Sequence, residues 1–167
     1  DSVRSSRTGW STTCKPVMTY CTNAASGTPV AVIDYVGGTN PSATDPGKGS
    51  AGATFNTTTF VYSAGLTGTA QAVTQCVVSS SDIAGVDFGF NHNTIANTNN
   101  SGQGTLRQVI TNMNTLGGDA SLAQSGLVAA KDNAVFMISN GTSAPGLRAT
   151  NNYFSGGAAT ITPTSAL

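Results

Sequence analysis

Between Thr105 and Gly118 the chain carries its one clear helical pattern, and that pattern limits what the rest can be. Leu106, Val109, Ile110, Met113 and Leu116 recur at the spacing of a single apolar helix stripe. Arg107, Thr111, Asn112 and Asn114 fall mostly on the opposite face. Thr105 and Gln108 have the S/T-x-x-E/Q spacing of a capping box, and Gly117-Gly118 supplies a left-handed stop. The spacing predicts a helix over about 105–116. A helix this short, rich in Thr and Asn, does not persist alone in water. It must lie on strands.

The strands are legible on both sides. Val86-Asp87-Phe88-Gly89-Phe90 alternates at period 2, and Thr94–Thr98 forms a second short strand before the turn-rich Asn-Asn-Ser-Gly-Gln-Gly cluster. Upstream, Pro16–Thr22, Thr28–Val36, Thr54–Ser63 and Ala70–Ser79 read as strands from their β-branched and aromatic content. Phe55, Phe60, Val73, Val77, Val86, Phe88 and Phe90 are the expected core. Downstream, the apolar run Ala134–Ile138 reads as a strand buried on both faces, and Ala158–Thr162 as a last strand. Asp119 is placed to cap one further helical turn. The fold class is mainly β: an antiparallel, sandwich-like front half, one amphipathic helix, and a short β-helix-like or β-rich tail. The division falls as 1–90 and 91–167, or the two form one continuous unit.

VDFGF, the short strand after it and NTNNSGQGTLRQVITNMNTLGG together resemble a recurrent module of very large secreted bacterial surface proteins. In that family a β-sandwich of the collagen-adhesin B type ends at a strand similar to Val86–Phe90. A segment similar to Asn97–Leu116 then caps the start of a right-handed parallel β-helix. DSVRSSRTG, VIDYVGGTNPSATDPGKGS, GDASLAQSGL, FMISNG and PGLRATNNYFSGGAATITPTSAL resemble further pieces, so the likeness covers most of the chain. It implies an extracellular or cell-surface location and an architecture, but no reaction. The chain begins where that family's sandwich is on a late strand and stops where the β-helix would begin, as a fragment or a processed subunit would.

Charge narrows the function. Lys plus Arg and Asp plus Glu number 7 each, charged residues make up 8% and the net charge is zero; no Glu is present. Such a surface has no electrostatic attraction for nucleic acid or anionic lipid, and it promotes self-association. No apolar run is long enough to span a bilayer, and the absence of a signal peptide and of an initial Met suits a mature exported protein or an excised segment.

Candidate chemistry is sparse. His92 is the only histidine and sits in a turn after a strand, where a catalytic triad is not expected. Asp119 and Asp132 are the only acids in the back half, and neither lies on a predicted strand, so a β-helix glycosidase is not expected. Calcium is the one ion considered, through Asp34 and Asp45, but no D-x-D-x-D-G loop is present and no cofactor is expected. In an exported protein, Cys14, Cys21 and Cys76 would give one disulfide and one remaining thiol. Cys14–Cys21 requires a tight hairpin over 15–20. Cys21–Cys76 closes the longer loop and is favoured in the chain-entropy account, leaving Cys14 unpaired or available to another subunit.

Two functions follow. The first is a non-catalytic subunit of an extracellular filament, sheath or surface layer. Its extended arm (Val3, Arg4, Ser5) or its tail (Ala158, Ile161) would add as a strand to a neighbouring copy. The alternative is an adhesin-type module that stacks Trp10, Tyr153 or Phe154 on glycan, or binds a surface protein.

Overall fold

A computed structural model describes residues 13–32, 35–38, 40–44, 55–56, 61–62, 71–72, 74–116, 132–142, 144–147 and 159–167, with the backbone alone at 55–56 and 61–62. Within them the chain is mainly sheet, with one helix. The elements are β1 (Val17–Asn23), β2 (Val30–Ala31), β3 (Phe55–Asn56), β4 (Val61–Tyr62), β5 (Phe88–Asn91), β6 (Thr94–Ile95), α1 (Leu106–Leu116) and β7 (Val135–Phe136). They form an antiparallel sheet ordered β2-β1-β5, an antiparallel hairpin β3-β4, and a parallel pair β6-β7.

β1 is the strand the rest is arranged on. It pairs with β5 at Val17↔Asn91 and Met18↔Phe90, then shifts to Tyr20↔Gly89 and Cys21↔Phe88. The slip is a bulge at Thr19, one extra residue that breaks the simple in–out alternation of β1. Gly89 accommodates it: a Cβ there would come within 2.9 Å of the Tyr20 Cβ. Beyond the ladder, Thr22 continues the pairing with its side chain, donating to Gly85 O (2.8 Å) and accepting from the Asp87 N–H (2.7 Å).

The helix begins one residue after its predicted cap. Thr105 is buried, and its hydroxyl accepts the Gln108 N–H at 3.1 Å, which is one half of a capping box. The other half is not made. Gln108 turns inward and donates instead to Thr13 O and Asn112 Oδ1, each at 2.9 Å. The buried face of α1 is therefore Gln108, Val109, Asn112 and Leu116, while Leu106, Ile110 and Met113 are half-buried. Asn112, expected on the outer face, is 1% exposed.

Several other expectations are corrected. Thr54–Ser63 is not one strand; its ends pair as the β3-β4 hairpin, Phe55↔Tyr62 and Asn56↔Val61. Among the described residues of Ala70–Ser79, only Cys76 makes a strand-type bridge, to Ala24, just past the stretch of β1 that β5 pairs with. Val77 and Phe88, expected in the core, are 45% and 39% exposed, and Val86 and Phe90 are half-buried. The Phe55 and Phe60 side chains, Val73 and the Asp119 turn lie outside the described residues. The apolar centre is instead Val17, Val36 and Ala96, with Tyr35 and Met137 against it.

Beside that cluster, buried amides join the described elements. Asn112 Nδ2 donates to Lys15 O (3.1 Å) and His92 O (2.7 Å), and its Oδ1 accepts the Lys15 N–H (3.1 Å) as well as Gln108. Asn97, with no exposed surface, donates to Pro41 O and Gln103 O and accepts from the Asn99 N–H. Gly104 carries φ +74° and its carbonyl takes both the Ala96 and the Asn97 N–H, which ends β6 after two residues. These bonds run across the 90/91 division: Lys15 to Asn112, Pro16 to Gln103, Pro41 to Asn97 and Ser42 to Asn99.

Truncating Asn112 leaves the Lys15 amide and the His92 carbonyl without partners in a closed site. Asn112→Ala is expected to cost about 3 kcal/mol, at about 1–3 kcal/mol per orphaned group after partial relaxation. Asn112→Leu should not recover it, since volume is not what is missing. Urea denaturation midpoints check both.

Candidate functional site

The parallel pair β6-β7 has one outer edge that no described residue pairs with. The chain leaves Ile95, passes through α1 and returns at Val135, giving the register Thr94↔Val135 and Ile95↔Phe136. A parallel pair needs such a crossover, and α1 packs against β6 to provide it. Val135 and Met137 turn their N–H groups to Asn93 O (2.9 Å) and Ile95 O (2.8 Å). By strand alternation the N–H and C=O of Phe136 face the other way. Among the described residues nothing pairs with that outer edge.

Burial agrees with an open edge. Thr94 and Ile95 are enclosed, while Phe136 is 57% exposed and Ala134 is exposed beside it. The run Ala134–Ile138, expected to be buried on both faces, is thus covered on one side only. Met137 packs against the Val17, Val36 and Ala96 centre, whereas Phe136 on the other face stays largely exposed. Chemically, this edge offers alternating backbone donors and acceptors flanked by an apolar ring, which suits an added β-strand.

The tail has a defined seat. Ser165 and Ala166 carbonyls accept from the Arg107 guanidinium, and the Thr164 N–H donates to Asn100 Oδ1 at 2.9 Å. Ile161, expected as a strand-addition contact, is half-buried. Val3, Arg4, Ser5, Trp10, Tyr153, Phe154 and Ala158 lie outside the described residues, as do Asp34 and Asp45. Arg107 and Asn100 were not singled out by sequence; their only signal is a lone basic side chain seven positions after an Asn-Asn-Ser turn.

No disulfide joins Cys14, Cys21 and Cys76, so the Cys21–Cys76 pairing is not made. Cys21 is buried opposite Phe88, whereas exposed Cys76 bridges Ala24, three residues further along. The two side chains consequently occupy different positions on β1. Burial pushes the Cys14 thiol pKa up, against a hydrogen bond from Thr115 that lowers it. Native protein should therefore release one equivalent of thiol to a polar disulfide reagent, from Cys76. The other two should react only on unfolding; fast labelling of all three in the native state would contradict this burial.

His92 stands in the β5–β6 turn, half-buried, with its Nε2 enclosed and unpaired while its carbonyl holds Asn112. Burial lowers its pKa from the ordinary value of 6.5. The neutral ring is the form that fits. Among the described residues no group of three or more histidine, cysteine or acidic side chains is gathered to hold a metal ion. Since the unfolded imidazole takes up its proton near pH 6.5 and the folded one resists, the unfolded state binds more protons in acid. Stability is then full above about pH 6.5 and declines as pH falls through that value toward the lower folded pKa. Thermal midpoints between pH 5 and 7.5 should show this slope, and His92→Gln should flatten it.

No helix of the described residues is long and apolar enough to cross a membrane. No protein-family model, curated protein or solved structure matches the chain.

Proposed function

We propose that the chain is a non-catalytic structural unit of an extracellular bacterial filament, sheath or surface assembly, joined to copies of itself by β-strand addition. The observation that carries this reading is the unpaired outer edge of β7, with Phe136 exposed upon it. In this reading β6-β7 is the first rung of a parallel β-helix, and β2-β1-β5 belongs to a sandwich completed by a neighbour. The donor is the arm that includes Val3, Arg4 and Ser5, or the tail that includes Ala158 and Ile161. Main-chain hydrogen bonds supply the affinity. Zero net charge supports the reading, because copies do not repel one another.

A proline at 136 removes an N–H that points away from β6 and so spares the internal ladder. Phe136→Pro is expected to raise the critical concentration for assembly about tenfold, the effect of roughly 1.4 kcal/mol lost at each junction. Sedimentation velocity and electron microscopy of the full chain check this. Monomers alone at millimolar concentration in the wild type would sink the proposal.

A further inference from the structure

The tail just assigned as a strand donor is not loose. Arg107 sits in the first turn of α1, and its guanidinium makes hydrogen bonds in two directions. Toward its own loop, Nε donates to Asn100 O (3.1 Å) and Nη2 to Asn100 Oδ1 (3.3 Å). Toward the tail, Nη1 donates to Ala166 O, and Nη2 to Ser165 O (2.9 Å) and Ser165 Oγ (3.1 Å). Asn100 Oδ1 also accepts the Thr164 N–H (2.9 Å), so one side chain steadies the guanidinium and grips the segment.

The seat reads main chain more than side chains. Two carbonyls and one amide of 164–166 are held, and among the hydrogen bonds of this segment to the described residues only one uses a tail side chain, Ser165 Oγ. Every acceptor is a neutral oxygen. The planar fork of arginine spans adjacent carbonyls in a way that the point charge of lysine does not. Residues 164–167 are themselves exposed, so these bonds rather than burial fix them.

We propose that Arg107 and Asn100 form a latch that binds the 164–166 segment in cis and withholds the tail from strand donation. The inference rests on the strand-addition reading and adds its regulation: assembly through the tail requires this latch to open. Because no carboxylate takes part, raised salt does not open it by screening. What opens it is a competing extended peptide, including the tail of another copy, that offers the same backbone groups.

The test uses full-length chains with two readouts, the rate at which carboxypeptidase trims the tail and the lag before polymer forms. Arg107→Ala is expected to speed trimming about tenfold or more and to shorten the lag, with Arg107→Lys between it and wild type. Thr164→Pro removes the amide held by Asn100 without touching the helix, and should act in the same direction should Arg107→Ala fold poorly. Unchanged trimming in all variants overturns the latch. Faster trimming with an unchanged lag overturns the withholding role while strand addition stands. Freed tails with no polymer from any chain, wild type included, overturn the strand-addition reading and this inference with it.

Discussion

A side-chain amide stands where a strand would otherwise be. Asn112 presents a donor and an acceptor to the N–H and C=O of Lys15, so it pairs with the segment leading into β1 as a neighbouring residue in a ladder does. Its second donor proton goes to His92 O and its second acceptor site to Gln108. All four bonding capacities of the amide are used, which is the condition under which a buried polar group stabilises rather than costs. Because the three partners lie on β1's approach, the β5–β6 turn and α1 itself, one residue fixes how the helix meets the sheets.

Amides share this role with the apolar centre. Among the described residues Val17, Val36 and Ala96 form the buried apolar cluster, beside strands of two to seven residues. Asn97, Gln108 and Gln71 extend the same solution: Gln71 takes the Asn40 N–H at 2.6 Å, and Asn97 closes the loop that follows β6. Polar networks of this kind are specific because partial satisfaction is penalised. They place β6 firmly enough for β7 to align on it, and the exposed edge of β7 inherits that order.

The helix was legible because Val109 and Leu116 keep a clear period, and β1 and β5 because their apolar and aromatic runs are bounded by turn residues. The orientation of Asn112 was not, since a stripe count ranks Asn as outward whatever its partners. The Gln108–Asn112 spacing did hold a clue: residues four apart share a face, and two amides there can bond each other. The bulge at Thr19 escaped because pairing with Gly89, not local pattern, decides it. Cys76 misled for a related reason. Loop-length arguments rank which pairing would stabilise most, but the register that seats Cys76 beside Ala24 is a property of distant backbone contacts. The clamp made by Arg107 likewise joins residues 58 and 59 positions apart and leaves no periodic trace.

The reach of the Lys15–Asn112 bonds, 97 residues, has a consequence for how the chain is made. A polypeptide emerging from its N-terminus delivers β1 long before β5, and longer still before the amide that completes it. Non-local closures of this span are slow and leave unpaired strand exposed in the interim. The nascent front portion therefore has a window in which β1 can find the wrong partner, and the last turn of assembly is set by a helix that arrives late.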